Sequence, residues 1–209
     1  MPNCSRKIDG IYEDPLDLIW KSAARAIGIQ VKRDDQVFAS WDGDGMLRVG
    51  LESLDPDDCL AQMVLHELCH ALVEGPDSHG KPDWGLNDDL PKTRDHEFAT
   101  LRLQACLADH VGMRFFFAAT TDHREYYDLI PIEPFEPIEL DRHKSMLIRP
   151  ITLPEDQTAI ELGQLAFASF QLSTWKNPIL DALESTRKIL DVVQGYTPLD
   201  SIWRTSLRD

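Results

Sequence analysis

His66-Glu67-Leu68-Cys69-His70 is the stretch of this chain whose residue types and spacing could do chemistry. On a helix, residues four apart share a face, so both imidazoles would point the same way, with Glu67 one step round from His66. Two neutral imidazoles can hold Zn²⁺ and leave a position open for water. A neighbouring carboxylate can then take the water's proton as it attacks a polarised carbonyl.

That chemistry requires a buried helix, and the flanking residues predict one. The run Met63 to Val73 is largely apolar, and Leu68, Cys69, Ala71 and Leu72 around the histidines carry no charge, unlike a solvated helix. Asp55-Pro56 offers an N-cap followed by proline at the first helical position, and Gly75-Pro76 supplies a terminating glycine and a proline stop. The expected helix runs from Pro56 to Glu74, with Asp57 and Asp58 in its first turn, where acids suit the macrodipole. Burying two imidazoles and a carboxylate costs several kcal/mol unless something compensates them. A bound cation is therefore the preferred reading over hydrogen-bonded core side chains or a purely structural zinc.

The elements around this helix follow from periodicity and turn chemistry. Asp14-Pro15 opens a helix to about Ile27, with Leu16, Ile19, Trp20, Ala23, Ala24 and Ile27 at helical spacing. Short strands are expected at Val31–Arg33, Val37–Trp41 and Met46–Gly50, the last two joined by Asp42-Gly43-Asp44-Gly45 as a hairpin. An edge strand beside the motif helix could pair with an extended peptide and present its carbonyl to the metal. Pro76 to Pro91 reads as an ordered loop bordering the cleft, followed by a helix over about Arg94 to Val111 and the aromatic Phe115-Phe116-Phe117. Pro131, Pro134, Pro137, Pro150 and Pro154 predict extended chain wrapping the surface or linking two parts, before helices over Glu155–Leu172 and Pro178–Val193. The expected fold class is α+β. A zincin-like metal-binding domain over residues 1–120 would carry a small antiparallel sheet packed on the motif helix. Residues 121–209 would add the proline-rich wrap and a helical C-terminal part, packed on the same domain.

A catalytic zinc normally takes three protein ligands and water, so one ligand remains to be found. An HExxHxxGxxH pattern would place its glycine at Val73 and its third histidine at Pro76, which excludes the metzincin arrangement. Glu97 lies 27 residues after His70, near the start of the next apolar helix. There the chain resembles the gluzincins, in which a second helix beside the HExxH helix supplies a glutamate. The spacing is similar to that of ImmA/IrrE-type regulatory peptidases, although Ala99 falls two residues after Glu97 and the group's usual Glu-x-x-Ala-Asn run is not reproduced. The likeness covers about Pro56 to Val111 and implies a zincin-like fold, a bound Zn²⁺ and Glu97 as third ligand. The pair His79-Gly80 gives a weaker resemblance to SprT-type zinc peptidases, with His79 as the ligand. Asp95, His96 and the loop acids are further candidates.

Asp95, Asp88, Asp89 and Asp109 are candidates to orient the ligand histidines, with no choice among them. Tyr126, Tyr127, His123 and Arg124 form a cluster that could donate to an oxyanion, or simply pack. Cys4, Cys59, Cys69 and Cys106 show no CxxC spacing and read as unpaired, mostly buried thiols; Cys69 as a thiolate ligand is a minor option. A net charge of −15 argues against binding nucleic acid or an anionic membrane, and hints at a basic partner. The N-terminus lacks an apolar leader and no run is long enough to span a bilayer, so a cytoplasmic location is expected. The expected activity is a zinc-dependent metallopeptidase acting on a protein or peptide, with His66, His70 and Glu97 on the metal and Glu67 as general base. The alternatives are a catalytically weak regulatory or binding module on the same scaffold, or a zinc hydrolase of a non-peptide amide.

Overall fold

The computed structural model describes residues 12–50, 52–54, 58–86, 93–119, 123–139 and 151–192. Helix α1 (Pro15–Ala26) starts where Asp14 accepts a hydrogen bond from the Leu16 N–H at 2.8 Å, and it buries Trp20, Ala23 and Ala24. Strands β1 (Gln30–Arg33), β2 (Ala39–Trp41) and β3 (Met46–Val49) form one sheet in the order β1-β3-β2. Between β2 and β3 the hairpin is closed by Asp42, whose Oδ1 accepts from the N–H groups of Asp44 (2.7 Å) and Met46 (3.0 Å). Those two backbone donors hold the Asp42 carboxyl below its usual range.

The α+β class holds, with a correction to the sheet: β2 pairs with β3 antiparallel as the hairpin requires, whereas β1 pairs with β3 in parallel. A β1-to-β3 pairing skips a strand in sequence, and only tertiary packing sets its direction. β3 is thus central, and its Leu47 and Val49 are fully buried.

Helix α2 (Leu60–Glu74) carries the motif and packs against α1 and β3. Its start differs from expectation. Asp58 and Cys59 precede it, and Asp55-Pro56-Asp57 lie outside the described residues. Gln62 reaches back to accept from the Cys59 N–H at 2.7 Å, which fixes the N-terminus at a cysteine, a residue without capping preference. Gly75, at φ 76°, ends the helix as expected. Beyond it are two short 3₁₀ turns, Pro76–Ser78 and Pro82–Gly85.

Helix α3 (Thr93–Asp109) lies along α2, followed by α4 (Arg124–Leu129), α5 (Leu153–Leu172) and α6 (Lys176–Val192). Pro154 sits in the first turn of α5, whose N-cap Thr152 is closed by Glu155, and Pro150 lies outside the described residues. α5 packs on both α3 and α2, and α6 packs on α1. Gly163 on α5 leaves room for the proline-rich chain, since an added Cβ would lie 2.9 Å from the Phe135 ring. Among the described residues no helix is long and apolar enough to cross a membrane.

Candidate metal centre

α2 and α3 place three potential ligands around one point. His66 and His70, one turn apart, bring their Nε2 atoms to 3.0 Å of each other. Glu97 comes from the first turns of α3, with Oε2 3.1 Å from His70 Nε2 and Oε1 3.4 Å from His66 Nε2. One ligand atom from each residue lies within 4.8 Å of the others. His70 is buried and the other two nearly so.

The far sides of both rings are held by α3. Gln104 donates its amide to the Phe117 carbonyl, so its Oε1 faces His66 Nδ1 at 2.8 Å and accepts the ring proton there. That leaves Nε2 as the His66 nitrogen that faces Glu97 and His70. Thr100 Oγ1 lies 3.1 Å from His70 Nδ1 and orients the second ring. Glu97, Thr100 and Gln104, at i, i+3 and i+7, form a single stripe facing α2.

The electrostatics follow from crowding these groups in a poorly solvated space. Burial alone would lower His70, but the Glu97 carboxylate, with Glu67 and Glu74 beyond it, outweighs that and raises it to about 9. Burial likewise would raise Glu97, yet His70 and His66, and more distantly His123, hold it well below the usual carboxylate range. The donor set of two imidazoles and a carboxylate fits a divalent transition metal and does not by itself select zinc over Fe²⁺, Co²⁺ or Ni²⁺.

Glu67 sits beside this group, lining a cavity of about 190 Å³ together with His66, Gln104, Phe38 and Ala39. Its Oε2 accepts a hydrogen bond from the Trp84 indole N–H at 2.9 Å. Trp84 is delivered there by a turn in which Asp83 (φ 46°) and Trp84 itself (φ 57°) are both left-handed, costing on the order of 1–3 kcal/mol each. Neighbours hold the turn in place. Asp83 Oδ1 accepts from Ser40 Oγ and from the Trp41 backbone N–H, both at 3.0 Å. The Trp41 and Trp84 rings stack at 4.3 Å and 6°.

The other candidates go elsewhere. His79 directs Nε2 to the Ala71 carbonyl at 3.1 Å and stacks on Trp175 at 5.1 Å, so it braces the C-terminal end of α2 without joining the ligand group. His96 contacts Glu74 through Nδ1 at 2.6 Å. Asp95 stands outside the group, its carboxyl raised by partial burial and by Glu155. Asp109 pairs with Arg114. Asp88 and Asp89 fall outside the described residues. Tyr126 and Tyr127 are packing residues: the Tyr126 hydroxyl joins Arg102 and Asp156, and the Tyr127 hydroxyl donates to the Arg114 carbonyl. Arg124 binds Asp128 and the Ala119 carbonyl, while His123 sits edge-on to Phe98 at 6.0 Å and acts on Glu97 only through its charge. Cys69 is fully buried, with its thiol pushed well up by desolvation, and is not among the ligand atoms. Thr100, Gln104 and Trp84 were not singled out by the sequence. The 97-100-104 spacing carries a signal for the first two, and nothing local does for Trp84.

Comparison of the chain with protein-family models, with curated proteins and with solved structures finds no match.

Proposed function

We propose that this chain is a zinc-dependent peptidase of the gluzincin kind, acting in the cytoplasm on a protein or peptide substrate. The observation that carries the reading is the convergence of His66 Nε2, His70 Nε2 and the Glu97 carboxylate on one point, with Glu67 beside it at an open cavity. His66, His70 and Glu97 would hold the metal. A bound Zn²⁺ would polarise the scissile carbonyl and increase the acidity of a water at the open position.

The chain's own groups do the rest. Glu67 takes the proton of the attacking water and passes it to the leaving amine, so the peptide C–N bond breaks without a covalent enzyme intermediate. Trp84 holds Glu67 by one oxygen and leaves the other for that transfer. Gln104 and Thr100 keep the imidazoles aimed at the metal.

The test pairs metal content with turnover of casein or a quenched fluorogenic peptide. Wild-type protein is expected to carry about one zinc per chain and to lose activity with a chelator. Glu67→Gln should retain zinc and lose about 10²–10⁴ in kcat. Retained activity in Glu67→Gln removes Glu67 from the mechanism, and full occupancy in Glu97→Ala removes Glu97 from the ligand set. Full occupancy without turnover of either substrate would favour the regulatory or binding module.

A further inference from the structure

β2 lies along the wall of the cavity that holds His66 and Glu67, where Ala39 and Phe38 form one side. In an antiparallel ladder, successive residues point their backbone groups alternately toward and away from the partner strand. The Gly50 N–H donates to the Phe38 carbonyl and the Asp42 N–H to the Met46 carbonyl, so Phe38, Ser40 and Asp42 face β3. Val37, Ala39 and Trp41 therefore face the free edge.

Two of those three positions are already engaged. The Val37 carbonyl accepts from the Ser53 hydroxyl at 2.7 Å, and its N–H reaches the Asp34 carbonyl at 3.4 Å. The Trp41 N–H donates to Asp83 at 3.0 Å, on the turn that also carries Trp84 to Glu67. Ala39 is the single outward residue of β2 whose N–H and C=O are not engaged within the described chain. It is also the one that lines the cavity.

We infer that the substrate of this site is a short extended peptide segment, held through one two-bond backbone pair at Ala39 with one medium-sized apolar side chain in the adjoining cavity. This rests on the peptidase reading above and narrows it. A strand-long footprint would need two-bond pairs at Val37 and Trp41 as well, and both Val37 groups and the Trp41 N–H are already taken by Ser53, Asp34 and Asp83. At about 190 Å³ the cavity is smaller than the roughly 300–1,000 Å³ of pockets that enclose a whole small ligand, so it takes a side chain rather than a molecule. Met63, Ala118 and Phe38 give it apolar walls, with Asp58 and Gln62 as polar members.

The test is an N-methyl scan. Cleavage sites are mapped on casein with the full-length zinc-loaded protein, and a quenched octapeptide spanning one site is methylated at each backbone nitrogen in turn. Methylation at a single position is expected to lower kcat/KM about tenfold, the loss of one well-formed hydrogen bond, with little change two residues to either side. Trimming the octapeptide to the four residues around the cleaved bond should change kcat/KM by no more than about threefold. Sensitivity at two or more alternating positions sinks this inference and leaves the peptidase reading intact. No casein turnover by the zinc-loaded protein sinks both. Amide hydrogen exchange of the free protein gives a readout without turnover: Ala39 should exchange faster than Ser40 and Trp41, and equal protection overturns the inference whatever the activity.

Discussion

Two polar clusters are buried along α3, and they differ in how their atoms are satisfied. Arg102 is fully buried, yet every arm of its guanidinium has a partner: Nε donates to the Tyr126 hydroxyl at 2.6 Å, Nη1 to the carbonyls of Pro134 and Glu136, and Nη2 to Asp156 at 2.5 Å. Asp156 in turn accepts from the Tyr126 hydroxyl and the Ile138 N–H, both at 3.0 Å. That cluster is closed on itself, and it ties α3, α4, α5 and the proline-rich chain together. On the α2-facing side of the same helix, His66 Nε2, His70 Nε2 and the Glu97 carboxylate instead converge on a shared point, with only one another as partners there among the described residues. The comparison teaches that burial of charge is not by itself a sign of function. Saturation marks a structural joint, whereas convergence of potential ligand atoms on one point is what the metal-site proposal rests on.

The largest effect should come from breaking the saturated cluster. Arg102→Met leaves Asp156 buried without its partner and should cost about 3–5 kcal/mol in urea unfolding, with zinc bound per folded molecule unchanged. A loss of zinc at full folding would erase the distinction. Next, the convergent cluster should respond to metal. Zinc at about 100 times its Kd should stabilise the protein by about 2.7 kcal/mol, raising Tm by roughly 5–10 °C, and Glu97→Ala should abolish that rise. Gln104→Ala sharpens the comparison, because it leaves the ligands in place and frees the His66 ring. Zinc affinity by competition with a chromophoric chelator should fall about 10–100-fold. Trp84→Phe keeps the stacking ring and removes one N–H. It should lower kcat about tenfold with KM unchanged, whereas a shift confined to KM would place Trp84 in substrate binding instead.

The smallest effect is on pH dependence, measured on the metal-free protein by denaturant titration. His70 is raised from 6.5 to about 9, so its contribution is fully present below pH 6.5 and is lost as pH rises through about 9. Glu97 is lowered from 4.5, so its contribution is present above pH 4.5 and is lost as pH falls toward its folded-state value. Stability from this pair should therefore be greatest between about pH 4.5 and 6.5. Zinc should move that optimum upward, because the metal competes with protons for both imidazoles.

Local patterns were legible in the sequence because local physics sets them. The hydrophobic period around His66 and His70 predicts their shared face, and the length of chain between α2 and α3 places Glu97 near the start of a second helix. At the start of α2 the local signal points elsewhere, since Asp55-Pro56 has stronger capping chemistry than the Cys59–Gln62 box that sets it. The parallel pairing of β1 was out of reach because its partner is chosen by packing across the sheet. A carboxylate or carbonyl is expected behind each histidine; the structure places the Gln104 amide oxygen behind His66 and the Thr100 hydroxyl behind His70. Trp84 reaches Glu67 through left-handed backbone at two residues other than glycine, which propensity alone argues against.

Trp41 and Trp84 are stacked face to face, with His79 edge-on to Trp84 at 5.9 Å and stacked on Trp175. Stacked indoles this close couple their electronic transitions, so the pair that holds Glu67 is also a chromophore. Its circular dichroism couplet and its fluorescence should respond when Glu67 releases the Trp84 N–H, giving the site an optical signal of its own that needs no attached dye.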